Sequence, residues 1–326
     1  MRCLILGAGG FIGQQLLLTL HSMRVDVIVY DRPSVISDLQ ARFPGIKCVA
    51  GNFATEHRWQ KLLRGVDVCF HLISTMLPKT SNDAPITDVS ENLIGTLHLL
   101  EAARHSRPKI IFTSSGGTIY GPPSMECIKE DHATNPLCSY GITKLAIEKY
   151  LHLYQHLHDI SSVVLRIANP YGPGQKPDAI QGVIAVFMGR VLQNDTVNIW
   201  GDGSVVRDYV FVGDVVDALL SAAEYTGPQM TFNIGSGIGY SLKEILRLTE
   251  FVTNKKAQVI YLAARNFDIP KSILDISSAK AELNWSPTIS LEKGLAETFN
   301  WMTQYLNLAT ENSALNRRVE LLAKNL

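Results

Sequence analysis

Tyr140 and Lys144 stand four residues apart at the start of a stretch patterned as a helix, a spacing that puts both side chains on one face. A phenol near its ordinary value of about 10 is a poor base at neutral pH, but an ammonium beside it favours the phenolate. Such a pair can take a proton from a hydroxyl group. The same spacing also describes a plain pair on a helix surface, so the chemistry depends on what else is brought to it. Thr113, Ser114 and Ser115 end an apolar run, at the carboxyl edge where open parallel sheets place their sites. A hydroxyl there can share a proton with a substrate oxygen, although either serine singly is also a common turn former.

A second group of residues suits a dinucleotide. Gly7-Ala8-Gly9-Gly10-Phe11-Ile12-Gly13 follows the first apolar run and opens a helix, so backbone N–H groups and the helix N-terminus can meet a pyrophosphate. Glycine turns also serve packing alone, and the loop by itself is a weak sign. Asp31 closes the second run about 20 residues on, where a carboxylate accepts ribose hydroxyls and repels a 2′-phosphate. That favours NAD, while Arg32 beside it is the residue NADP would use. Asn52 and Phe53, after Gly51, can edge the adenine or simply turn the chain. Further on, Arg207 after the Gly201-Asp202-Gly203 turn and Arg265 in a later loop could clamp a diphosphate, or serve as exposed ion-pair residues.

Positioning these groups calls for a particular scaffold. Short apolar runs at 2–6, 25–30, 46–50, 68–72, 109–113 and 162–167 alternate with helical patterns. Such alternation predicts an α/β fold, a Rossmann-type doubly wound parallel sheet buried on both faces. The rhythm breaks at Asn169-Pro170-Tyr171-Gly172-Pro173-Gly174, read as a turn and lobe boundary. The expected division is a dinucleotide-binding domain over 1–172, with a return contribution from about 205–225, and a smaller C-terminal α/β substrate lobe over 173–326. That lobe is expected to hold a helix at 180–193, extended pieces at 197–200 and 231–234, and a terminal helix at 310–326.

The bulk numbers narrow the classes. A 326-residue chain that is 46% hydrophobic can bury a sizeable core, and 30 basic against 30 acidic residues give no footprint for nucleic acid or an anionic membrane. Five cysteines without CxxC or Cys/His ligand spacing argue against a disulfide framework or a metal site, and fit a reducing cytoplasm. No apolar run approaches a membrane span, and the first strand leaves no room for a cleaved leader.

The glycine loop, Ser114-Ser115 before Tyr120-Gly121, Tyr140-x3-Lys144, 165–172 and Arg207-Asp208-Tyr209 together resemble the extended short-chain dehydrogenase/reductases, nearest the UDP-glucose 4-epimerase branch. The resemblance runs in order to about Met302. It implies NAD as cofactor, a UDP-sugar as substrate, Tyr140 as general base and Lys144 on the nicotinamide ribose. It implies also that a Ser/Thr completes the triad. Counted back from Tyr120 the usual position is Gly116, so Ser115 is the expected hydroxyl and Thr118 the next. Leu72, Ser74, Asn92 and Ser114 join the expected cofactor site, with a capping or core role open for Asn92. Asn169, Arg207, Arg265 and Asp268 fall to the nucleotide, and Ser272 to the wall beside carbon 2 of the sugar. A small residue there implies room for N-acetylhexosamines.

Dehydratases of this family use an Asp-Glu pair where Gly116-Gly117 stand, which disfavours elimination. A 4-ketoreductase consuming NADPH and a non-catalytic NAD-binding protein remain as rivals. The resemblance also implies a homodimer through a four-helix bundle, with Leu93, Leu97 and Leu100 on one helix and Leu145, Leu151 and Leu153 on the other. Packing on the parent sheet explains such stripes equally well.

Overall fold

The computed structural model describes residues 1–178, 181–264 and 269–307. Strands β1 (Arg2–Leu6), β2 (Asp26–Asp31), β3 (Lys47–Ala50), β4 (Val68–His71), β5 (Lys109–Ser115) and β6 (Ser162–Ile167) fall on the six apolar runs. Those that follow are β7 (Asn169–Tyr171), β8 (Thr196–Trp200), β9 (Val206–Phe211), β10 (Thr231–Ile234), β11 (Gly239–Ser241), β12 (Gln258–Leu262) and β13 (Lys271–Ser272). The main sheet has seven parallel strands in the order β10-β6-β5-β4-β1-β2-β3. Its direction of winding reverses between β1 and β4, which opens a crevice at their carboxyl ends.

Residue parity explains the continuous apolar runs. Cys3 and Ile5 belong to one core cluster and Leu4 and Leu6 to another, on the opposite face of the sheet. Both faces are covered by helices, so every position of a central strand is selected for burial. The helix Ser139–His158 packs on one face through Ile147, Leu151 and Tyr154. The helix Val212–Glu224 packs on the other through Val215, Val216 and Leu219. A third cluster joins helices Val183–Gln193, Leu242–Thr253 and Leu291–Tyr305 to β8 and β9.

Several sequence expectations are corrected here. Residues 169–171 are not a turn: Asn169–Tyr171 is a strand that pairs only with β9, an edge position where Pro170 costs no ladder bond. The chain turns afterwards, at Gly172 with φ +142°. Strand β10 is the seventh strand of the main sheet rather than a piece of the second lobe. Strand β9 lies in a separate small sheet with β7, β11 and β13, so the part of 205–225 that reaches the main sheet is the helix, not the strand. The helix expected to carry Leu93, Leu97 and Leu100 opens as a π-turn, Val89–Ile94, and continues as Gly95–Ser106. Asn92 Nδ2 takes the Asp88 carbonyl at 3.1 Å and Thr96 Oγ1 takes the Asn92 carbonyl at 2.6 Å, so side chains occupy acceptors that ordinary helical bonding would use. Ile180 and the tail 310–326 lie outside the described residues. No helix among the described residues is long and apolar enough to cross a membrane.

Candidate active site

The glycine turn sits at the carboxyl end of β1. Gly7 has φ +89° and its N–H donates to the Tyr30 carbonyl at 2.9 Å. A side-chain carbon at Gly9 would lie 2.0 Å from Val35, and one at Gly13 would lie 2.1 Å from the Gly7 carbonyl oxygen, so the close approach of turn, helix and sheet needs both glycines. Gly10 precedes the helix Phe11–Ser22 without a side-chain cap, and Phe11 and Ile12 form its first turn. Asp31 is buried at the end of β2, its Oδ2 accepting the Gly9 N–H at 2.8 Å and its Oδ1 the Arg32 N–H at 2.8 Å. A carboxylate tied to the glycine turn, beside an uncapped helix start, fits the ribose and pyrophosphate of a dinucleotide. The Arg32 side chain is exposed and begins the next helix. Leu72 and Ser74 follow β4 across the crevice.

Two expected adenine contacts behave differently. Asn52 caps a short 3-10 turn, accepting the Ala54 N–H at 3.0 Å. The Phe53 ring is core, packed on Trp59 and His71, and its side chain is withdrawn from any ligand. An apolar ring one residue from a crevice is drawn inward by burial worth about 1.5–3 kcal/mol.

The helix Ser139–His158 brings Tyr140 and Lys144 to the carboxyl ends of β4 and β5. Its first N–H groups are capped from elsewhere: Asn82 Oδ1 accepts from Ser139 at 2.9 Å and Ser81 Oγ accepts from Tyr140 at 2.9 Å. Tyr140 is half-buried, and the Ser115 and Ser74 side chains stand close enough to its phenol to oppose the effect of burial, the Ser74 hydroxyl itself donating to the Met76 carbonyl at 3.1 Å. Lys144 is buried; its Nζ donates to the Thr113 carbonyl at 2.9 Å and lies 4.6 Å from the Phe112 ring centre and 5.7 Å from that of Tyr140.

The balance of effects differs from the sequence expectation. Within the protein, burial outweighs the two serines and pushes the Tyr140 phenol up to about 12. Burial also lowers Lys144 to about 8, opposed by the carboxylates of Asp88 and Glu148. Desolvation therefore dominates both groups, and Lys144 alone does not make Tyr140 a phenolate.

Strand parity separates the two serines. Ser114 shares the side of Ile110 and Phe112 and gives its hydroxyl to Glu148, inside the ion pair that Glu148 makes with Arg166 at 2.7 Å. Its hydroxyl is thus removed from the expected cofactor site, and Ser115, on the opposite side of the strand, is the member that acts to lower the Tyr140 phenol. The usual triad position is closed: a side-chain carbon at Gly116 would lie 2.5 Å from Leu274. Thr118 Oγ1 is buried with no hydrogen-bond partner among the described residues.

On the substrate side, Asn169 Nδ2 donates to the Asp208 carbonyl at 2.8 Å, and Arg207 Nη1 donates to the carbonyls of Val206 at 2.9 Å and Ile269 at 2.6 Å. Ser272 is buried in β13, in register with Arg207. Arg265 and Asp268 lie outside the described residues. Asp208 is structural, its carboxylate accepting from the Ser236, Gly237 and Leu274 N–H groups. Ser81, Asn82 and Asp88 were not legible as site residues, because each acts through the helix it caps or braces. No group of three or more His, Cys, Asp or Glu among the described residues could hold a metal ion.

Comparison with known proteins agrees with this geometry. Residues 3–235 match the model of the NAD dependent epimerase/dehydratase family. A UDP-glucose 4-epimerase of Mycolicibacterium smegmatis is 35% identical over 91% of this chain and 97% of its own. A dTDP-4-dehydro-6-deoxyglucose reductase of Escherichia coli is 33% identical over 90% of this chain and 94% of its own. Among solved structures, the UDP-glucose 4-epimerase of Thermotoga maritima with UDP-glucose superposes with a TM-score of 0.89 at 35% identity, covering 94% of this chain and all of the other.

Proposed function

The chain belongs to the NAD-dependent epimerase/dehydratase family, and from that premise we propose that it inverts carbon 4 of a UDP-hexose or UDP-N-acetylhexosamine. The observation that carries the reading is the buried Lys144 ammonium, fixed on the Thr113 carbonyl at 2.9 Å and 5.7 Å from the Tyr140 ring centre, at the carboxyl end of β5 with Ser115 beside the phenol. Tyr140 takes the proton of the sugar 4-hydroxyl and later returns it to the same oxygen of the 4-keto sugar, once the opposite face of carbon 4 has been presented for reduction. Ser115 holds the sugar oxygen in line, and the Lys144 ammonium steadies the phenolate. Bound NAD would supply the hydride acceptor and donor that carbon-4 inversion needs, and a positive ring that would favour the phenolate. Asp31, Gly7, Gly10 and Gly13 hold the dinucleotide. Asn92 fixes the loop beside its nicotinamide.

Asn169, Arg207, Arg265 and Asp268 are assigned to the UDP, and Ser272 to the wall at carbon 2. Ser272→Tyr is expected to abolish turnover of UDP-N-acetylglucosamine while sparing UDP-glucose, measured by product stereochemistry; equal retention of both removes Ser272 from the pocket. The reaction itself is tested by incubating purified protein with UDP-sugar pairs and no added cofactor. Inversion at carbon 4 is the expected result, and none with any pair would end the proposal. Similarity to the E. coli reductase favours a second reading, stoichiometric NADPH consumption on a 4-keto sugar, which an absorbance trace of the reduced nicotinamide separates.

We assign a homodimer to the outer face of the two helical segments. Leu100 and Leu151 face the chain's own core and Leu93 and Leu97 pack against it, which corrects the stripes at those four positions, while Leu153 is exposed. The residues turned outward are Ile86, 82% exposed, with Val89, Ile94, Ile142, Leu153 and Leu157. Six large apolar groups on one pair of segments suit a four-helix contact with a second copy. Sedimentation is expected to give twice the monomer mass, and a monomer at micromolar concentration would remove the dimer.

A further inference from the structure

Asp88 is 1% exposed and has no part in the chemistry above. Its Oδ2 accepts from Ser139 Oγ at 2.8 Å and Thr143 Oγ1 at 2.9 Å, both on the helix that carries Tyr140 and Lys144. Its Oδ1 accepts from Asn92 Nδ2 at 2.9 Å. Asn92 in turn holds the opposite wall, accepting the Thr75 N–H at 3.0 Å and donating to Thr75 Oγ1 at 2.9 Å. Ser74, next in the chain to Thr75, stands near enough to the Tyr140 phenol to lower it slightly, while its hydroxyl donates to the Met76 carbonyl at 3.1 Å. One carboxylate thus ties the first turn of the helix that carries Tyr140 to the 74–75 loop beside it.

The charge of Asp88 is not cancelled locally, because its three side-chain donors are neutral. Other groups near Lys144 are neutral or already paired. Glu148, on the same helix, is bound by Arg166 of β6. His71 of β4 is kept neutral by burial, and Phe112 of β5 presents only its ring. Near Tyr140, the Cys138 thiol is kept protonated by burial, and Ser74 and Ser115 carry no charge.

We propose that Asp88 is a positioning residue for the reacting pair, bracing the helix of Tyr140 against the Ser74 loop and supplying the negative charge that keeps Lys144 an ammonium. The sign of its electrostatic effect is the same at both groups. An anion favours the protonated form of lysine and of phenol alike, so removing it lowers both values and moves the whole pH–rate profile toward acid. Loss of bracing alone would reduce the rate and leave the limbs where they were.

The effect on turnover rests on the proposed inversion, but the ionisation of Lys144 does not, so the test reads that first. In full-length protein labelled with 13Cε-lysine, the Lys144 signal is identified by its absence in Lys144→Met. Asp88→Asn is expected to lower its titration midpoint by about one pH unit. Asp88→Glu is expected to restore it. Asp88→Ser removes the same charge should Asp88→Asn fail to fold. In the inversion assay, Asp88→Asn is expected to lower kcat with KM little changed and both limbs shifted to lower pH. A Lys144 midpoint unmoved in both Asp88→Asn and Asp88→Ser overturns the proposal. Failure of every UDP-sugar to react would sink the proposed function and leave the titration to decide on Asp88.

Discussion

Tyr140→Phe is expected to lower the rate of carbon-4 inversion by about 10²-fold or more, the range for loss of a positioned acid-base group. The change removes one oxygen and little packing, since the ring stays half-buried beside Lys144. What disappears is the phenol oxygen, the proposed proton acceptor beside Ser115. Single-turnover measurement with a UDP-sugar separates this loss from any change in binding, which should remain close to wild type. An unchanged rate would mean that another group is the base. The wild-type profile carries a matching sign. Lys144, lowered by burial to about 8, loses its proton as the pH rises through that value, so the rate should fall on the alkaline side there rather than near the ordinary lysine range.

Glu148→Leu is expected to cost about 3–5 kcal/mol of stability, the usual penalty for breaking a buried ion pair from one side. Arg166 and Glu148 are 5% and 2% exposed. Without the carboxylate, the Arg166 guanidinium keeps only the Tyr120 hydroxyl at 2.9 Å and the Glu130 carbonyl at 3.0 Å, both uncharged, and the Ser114 hydroxyl loses its acceptor. Chemical denaturation of the single variant and of Glu148→Leu with Arg166→Leu distinguishes the cause. The double variant should recover most of the loss, because two apolar groups leave no unpaired charge behind. A single-variant loss below about 1 kcal/mol would mean that water reaches the pair and screens it.

The sequence by itself determined the scaffold and brought out the residues that the proposed chemistry uses. Continuous apolar runs located the first six strands because a strand covered on both faces is buried at nearly every position and is therefore mostly apolar, and β1 and β6 coincide with their runs to the residue. The glycine turn, Asp31, and the four-residue step from Tyr140 to Lys144 were legible because each depends on local geometry: a positive φ, a strand end, a helical turn. Tertiary structure alone decided what depends on distant partners. It assigned Ser115 to the phenol by giving Ser114 to Glu148, and closed position 116 with Leu274, 158 residues away in the chain. It drew Phe53 into the core and made Thr231–Ile234 the seventh strand. It also set the ionisation of the reacting pair, since desolvation depends on everything packed around a group, and no spacing along a chain encodes how much water is left beside it.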